Sequence, residues 1–257
     1  KKNVNIFVLH PHNKVSPVQR KIMSTVKENN VFNIAIEGNF DDCQNLVKAM
    51  FADKDFSNSI NMSGVNSINW ARIIAQAVYY FYTYFLIKDK KSINFSVPTG
   101  NFGDVYAGYI AKKMGLPINK LIVATNDNDI LKRVITSGIY KPTTVKHTIS
   151  PSMDIQVASN FERLIFDICD CESNKIIKLM DDLKKNGKFI LEKKYLDKIR
   201  EVFSSGSLSE SQTKSVIKSI FKSEGVLIDP HTAVGIGVSD KIKIDGCNIA
   251  LSTAHPA

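Results

Sequence analysis

Residues 96–117, SVPTGNFGDVYAGYIAKKMGLP, carry an apolar strand pattern into Gly100-Asn101-Phe102-Gly103-Asp104 and then directly into a helical pattern. A glycine-bracketed turn at a helix start can seat a phosphate. Glycine lets the backbone approach an anion with no Cβ in the way, and the open amides and positive dipole end of the helix attract it without a charged side chain. On spacing alone, a plain strand-to-helix connection fits the same residues equally well.

A second anion grip is legible in Asn66-Ser67-Ile68-Asn69-Trp70-Ala71-Arg72, where three small polar side chains open a helical pattern. Asn69 and Arg72 are three apart and share a face, and a guanidinium offers a forked pair of donors to phosphate or carboxylate oxygens. A capped helix bearing a surface arginine accounts for the same residues. Other chemistries find less support. The five histidines form no recognisable catalytic pair, and His231 and His255 suit structural and functional roles alike. There is no Gly-x-Ser-x-Gly elbow, no Gly-x-x-x-x-Gly-Lys-Ser/Thr loop and no Gly-x-Gly-x-x-Gly order, which argues against a serine hydrolase and against ATP or NAD binding. The four cysteines lack the paired spacings of a zinc site, so no metal site is expected.

The elements that must position these groups alternate. Residues 4–9 read as a strand. Residues 15–26 read as a helix with Ser16 as cap and Pro17 at its first position. Residues 31–36 form another β-branched run, Asp41 can cap a helix ending near Phe51, and residues 66–88 read as one long helix. A strand at 93–97, a helix at 104–114 and a strand at 121–124 follow. This order predicts an α/β fold, an open and largely parallel sheet flanked by helices, with ligands beyond the carboxyl ends of the strands. Residues 1–125 form the first part of that core. Residues 126–225 read as a mainly helical region, with helices at 128–137, 160–169, 173–186, 193–200 and 212–222, and a mobile Ser-rich surface loop near 204–211. Residues 226–257 return to the core.

The chain has 257 residues, 44% of them apolar, enough to bury a sizeable core. Its formal charge of +9 is spread over helices that mix Lys with Asp and Glu, a solvated pattern rather than a nucleic-acid surface. No run of eighteen apolar residues occurs, and the aromatic-rich stretch at 71–87 is interrupted by Arg72 and Gln76, so no membrane span is expected. The first residues read as a strand rather than a signal peptide, leaving the cytosol as the expected compartment.

The words PTGNFGDVYAGYIAKKMGLP, ATNDNDIL, VNSINWARIIAQ, PSMDIQVASNFERL, DPHTAVG and LSTAHPA, in these places along the chain, resemble threonine synthases. The resemblance runs from end to end and is strongest to the form without the S-adenosylmethionine-regulated extension. It implies a pyridoxal 5'-phosphate enzyme of fold type II, related to tryptophan synthase β. Such enzymes are carbon-oxygen lyases acting on phosphates, and they convert O-phospho-L-homoserine and water to L-threonine and phosphate in threonine biosynthesis. By the same resemblance, Gly100, Asn101, Phe102, Gly103 and Asp104 hold the cofactor phosphate, and the Thr253 hydroxyl meets the pyridine nitrogen. Asn66, Ser67, Asn69 and Arg72 hold the substrate phosphate. A monomer acting on a small molecule, with no nucleic-acid partner, is implied as well.

One family feature has no counterpart. The Schiff-base lysine of the family lies in a Ser/Ala-Phe-Lys-Asp segment expected upstream, and Phe51-Ala52-Asp53-Lys54-Asp55 and Phe221-Lys222-Ser223 are poor substitutes for it. The chain is therefore expected to be an internal fragment, inactive alone, lacking an N-terminal part and a C-terminal tail. A related phospho-lyase that forms a keto acid, or a non-catalytic homologue, remains an alternative.

Overall fold

The computed structural model describes residues 3–66, 69–87 and 92–256. Contacts divide the chain into two compact units, one ending at Gly64 and the other Val65–Pro256.

In the first unit, β1 (Ile6–Pro11) and β2 (Val31–Ile36) pair in parallel, Ile6 opposite Val31 and Pro11 opposite Ile36. Between them α1 (Pro17–Ser24) starts as its residues demand, the Ser16 hydroxyl accepting from the Gln19 N–H at 3.1 Å with Pro17 at the first position. The cap of α2 (Phe40–Ala52) is Asn39 rather than Asp41. Its Oδ1 accepts from the Asp41 and Asp42 amides at 2.8 and 3.1 Å, while the Asp42 carboxylate accepts from the Asn39 N–H at 2.7 Å. This reciprocal box satisfies one more donor than Asp41 alone could, which is why the helix begins earlier. A short helix, α3 (Lys54–Ser59), follows under an Asp53 cap.

The second unit opens with α4 (Trp70–Leu86), β3 (Ile93–Pro98), α5 (Gly103–Lys113) and β4 (Ile118–Thr125). There follow α6 (Ile130–Ser137), β5 (Ile139–Tyr140), a 3₁₀ turn at Pro151–Met153, α7 (Phe161–Ile168), α8 (Ser173–Asn186), β6 (Phe189–Ile190) and α9 (Lys193–Val202). The unit ends with β7 (Phe203–Ser207), α10 (Glu210–Glu224), α11 (Pro230–Lys241) and β8 (Cys247–Ala250). The main sheet has the order β7-β4-β3-β8 and is parallel throughout, while β5 and β6 form a small antiparallel pair.

Every residue of β3 is buried, as an inner strand of a parallel sheet covered on both faces requires. On one face Phe95, Val97, Leu121 and Val123 join Ile73 and Tyr80 of α4, Val105 of α5, Phe161 of α7 and Phe203 in the larger core. On the other, Ile122 and Ala124 meet Val234 and Val238 of α11. Burying such aliphatic side chains stabilises by about 1.5–3 kcal/mol each.

Two regions differ from the sequence expectation. Residues 204–211 are not a mobile surface loop: Phe203–Ser207 is the strand β7, paired with β4 from Leu121↔Phe203 to Thr125↔Ser207. Small residues are needed there because α11 packs directly on the strand, and a Cβ on Gly206 would lie 2.7 Å from Val238 Cγ1. The other is α11, whose residues suggested no helix. Residues 232–235 and 237–239 are all buried, so it carries no polar stripe and hence no amphipathic period. No described helix is long and apolar enough to cross a membrane.

Candidate functional site

The turn at 99–103 hangs from the carboxyl end of β3. The Thr99 N–H donates to the Ala124 carbonyl at 2.8 Å and its hydroxyl to the Val97 carbonyl at 2.6 Å, tying the exit of β3 to its neighbour β4. Phe102 then adopts a left-handed backbone, φ 66°, and Gly103 opens α5. That conformation costs a non-glycine residue about 1–2 kcal/mol. The Phe102 ring offsets this cost by full burial, edge-on to Phe161 at 5.2 Å and tilted against Phe203 at 5.6 Å.

No side chain caps α5 among the described residues, and uncapped first amides of a helix are the kind of donors that can take an anion. Asn101 Oδ1 is buried with no hydrogen-bond partner among the described residues. An unsatisfied buried oxygen costs about 1–3 kcal/mol, and such atoms in native proteins call for a ligand or a role. Gly100 faces the 3₁₀ turn, and a Cβ there would lie 2.6 Å from the Ser152 carbonyl oxygen.

That 3₁₀ turn is itself anchored. The Ser152 N–H donates to His231 Nε2 at 3.3 Å, and His231 Nδ1 donates to Asp229 Oδ1 at 2.9 Å. Asp229 caps α11, accepting from the amides of His231 and Thr232 at 2.8 and 3.3 Å and from the Thr232 hydroxyl. Burial alone would raise its carboxyl, but the hydrogen bonds from His231 and Thr232 outweigh it and hold the group below the ordinary carboxylate value. His231 thus connects two parts of the site scaffold. The Thr232 hydroxyl also lies 3.3 Å from the Ser252 hydroxyl. Thr253, next along, is exposed three residues beyond β8, whose pairing with β3 brings it past the same sheet edge as the turn.

The Asp104 side chain faces α4. The Tyr80 hydroxyl lies 2.8 Å from the Asp104 carbonyl and 3.1 Å from its Oδ1, and burial pushes the carboxyl up to about 6 although the Tyr80 hydrogen bond opposes the rise.

At the second grip, Asn69 caps α4, its Oδ1 accepting from the Ala71 N–H at 2.9 Å. The Asn69 N–H reaches the Asn66 carbonyl at 3.0 Å and the Arg72 N–H the Asn69 carbonyl at 3.1 Å. The exposed Arg72 turns back so that Nη1 donates to the Val65 carbonyl at 2.8 Å, using one of five guanidinium N–H groups. Ser67 lies outside the described residues. The structure brings the first turns of the two helices together, since Trp70 meets Tyr106 edge-on at 6.1 Å.

Sequence reasoning missed Tyr80, Ser152, Asn160 and Arg163 as parts of this framework. The last three lie in or beside the PSMDIQVASNFERL motif, the one available signal. A hollow of about 560 Å³ between α11 and β8, lined by Ile236, Asp240, Lys243, Asp245 and Asn248, includes none of the turn residues. Ser239 lines it as well, itself mostly buried.

No family model matches the chain. The chain is 48% identical to threonine synthase of Pseudomonas aeruginosa over 257 residues, covering 99% of this chain and 55% of that protein. Its fold is similar to that of a solved PLP-bound threonine synthase from Brucella melitensis, with TM-score 0.89 and 50% identity over 98% of this chain and 55% of that one. Yeast threonine synthase gives TM-score 0.88 and 43% identity, covering all of this chain and 54% of that structure. The chain thus spans about half the length of the relatives it matches. Along its whole length it is homologous to that half of the threonine synthases.

Proposed function

We propose that this chain supplies the cofactor-phosphate and substrate-phosphate grips of a threonine synthase, which uses pyridoxal 5'-phosphate to turn O-phospho-L-homoserine and water into L-threonine and phosphate. The observation that carries the reading is the α5 start, which no side chain caps, beside the buried Asn101 Oδ1, which has no hydrogen-bond partner, both among the described residues. Such a seat suits a group with a phosphate and a further polar edge.

Gly100, Asn101, Phe102 and Gly103 would hold the cofactor phosphate through their amides, with Asp104 and Tyr80 fixing the helix start behind them. The cofactor, when bound, supplies an electron sink next to the substrate's α carbon. Thr253 would present a neutral hydroxyl to the ring nitrogen, a partner that does not enforce a charged ring as a carboxylate would. Asn66, Ser67, Asn69 and Arg72 would hold the substrate phosphate, and the remaining guanidinium donors of Arg72 would stabilise the charge that grows on it as it leaves. The proton-carrying lysine of the family has no counterpart motif in these 257 residues, so the reaction is assigned to the complete gene product. The reading includes a monomeric, cytoplasmic enzyme acting on a small molecule.

The complete gene product, given pyridoxal phosphate and O-phospho-L-homoserine, is expected to release phosphate and L-threonine in equal amounts. Phosphate accompanied by ammonia and a keto acid would replace this reading with a phospho-lyase. Cofactor binding without phosphate release would replace it with a non-catalytic homologue.

A further inference from the structure

Asn160 immediately precedes α7 and Arg163 lies in its first turn, and together they bridge the two grips. The Asn160 backbone N–H and its Nδ2 both donate to the Asn101 carbonyl at 3.1 Å. Carbonyl and N–H of one peptide plane point opposite ways, so a carbonyl clamped by two donors also sets the direction of the Phe102 N–H. Arg163 Nε donates to Asn160 Oδ1 at 3.0 Å, which determines the end of the Asn160 amide that faces Asn101. The same guanidinium lies over Trp70, 5.7 Å from the ring centre. Trp70 is the first residue of α4 and sits between Asn69 and Arg72. A continuous line of contacts therefore runs from Asn101 through Asn160 and Arg163 to Trp70.

We propose that Arg163 is a positioning residue that couples the two phosphate grips, aligning the Asn101–Phe102 peptide through Asn160 and the start of α4 through Trp70. The inference rests on the assignment made under Proposed function. A residue that only stabilised α7 would change melting temperature and leave the two ligand affinities in their original ratio to it. A coupling residue changes both affinities, and one of them only through Asn160. Arg72, by contrast, touches one grip alone.

The test uses the complete gene product and reads pyridoxal phosphate affinity by fluorescence titration, the ³¹P shift of the bound cofactor phosphate, and the KM for O-phospho-L-homoserine. Arg163→Met is expected to weaken cofactor binding and raise KM, each about tenfold, the scale of one hydrogen bond to a charged group. It is also expected to move the ³¹P resonance, whereas Arg72→Ala raises KM alone. Combined with Asn160→Ala, Arg163→Met should add nothing further to the loss of cofactor affinity. Arg163→Lys, which keeps a cation over Trp70 without the Nε donor, should restore KM more fully than cofactor affinity, and it carries the test should Arg163→Met melt too low to assay. Additive losses in the double variant, or unchanged cofactor affinity and ³¹P shift in the Arg163 variants, would overturn the inference. Failure of the unmutated protein to bind pyridoxal phosphate would instead overturn the assignment of the turn itself.

Discussion

Replacing Gly100 with alanine places a methyl group 2.6 Å from the Ser152 carbonyl oxygen and 3.3 Å from Met153 Cα, both backbone atoms. Gly100 is not at positive φ, so alanine suits its own backbone and the conflict is purely steric. The neighbouring segment is poorly placed to yield. Ser152 is held by His231, and the residue after the 3₁₀ turn, Asp154, accepts from Thr148 N–H at 2.7 Å, Asn126 Nδ2 at 2.8 Å and Asn128 Nδ2 at 3.0 Å. The turn at 99–103 must therefore give way by most of an ångström. Overpacking of this kind costs about 1–3 kcal/mol, and for a domain of this size 2 kcal/mol lowers Tm by about 4–8 °C. The displaced amides are those assigned to the cofactor phosphate, so pyridoxal phosphate affinity should fall at least about tenfold, the scale of one charge-assisted hydrogen bond. Thermal melts with and without the cofactor, together with fluorescence titration, read both effects. Gly115→Ala is the control: among the described residues no atom beyond the neighbouring backbone lies within 4 Å of its added Cβ, but its φ of +101° makes alanine strained. It should lower Tm and leave cofactor affinity alone. A Gly100→Ala protein with unchanged Tm and unchanged affinity would refute the argument that the 3₁₀ turn props the anion seat.

Two further outcomes follow from the same geometry. Asn101→Ala removes a buried oxygen that has no partner among the described residues, so the ligand-free protein should be as stable as the original or more so, while cofactor affinity drops about tenfold; parallel losses in urea unfolding and in titration would contradict this. Asp104, raised by burial from 3.8 to about 6, keeps a proton in the folded protein that the unfolded chain has already released. Its contribution is complete below the ordinary value and is lost as pH rises through about 6, a change of about 3 kcal/mol at 1.36 kcal/mol per pKa unit. Asp104→Asn should flatten that part of the pH–stability curve, and superimposable curves for the two proteins would remove Asp104 as its source.

Legibility in the sequence followed the range of the interactions. The bounds of β2 and α8 match the residues read from periodicity alone, and Ser16 with Pro17 announced the start of α1, because those signals lie within a few residues of one another. The strand-to-helix turn at 99–103 was legible for the same reason, strand, glycines and helix being consecutive. By contrast β7 resembled a loop, since its Ser and Gly residues are chosen by the closeness of α11 rather than by strand preference. The helix α11 lacked a polar stripe because it is buried nearly all round. Asn160 could not be linked to Asn101 across 59 residues by any local pattern. Arg72 was read as sharing the helix start with Asn69, but nothing in the residue types announces its bond to the Val65 carbonyl.

The suspension of the turn at 99–103 from β3 determines where this molecule can breathe. An inner strand whose six side chains are all buried belongs to the last part of a protein to open, so amide protons around Val97 and Thr99 should be among the slowest to exchange. The start of α4 is held by side chains instead, Trp70 lying against Tyr106 and under Arg163 while Arg72 stays in solvent. Exchange of small molecules would then be governed by exposed side chains such as Arg72, against a backbone seat that stays still.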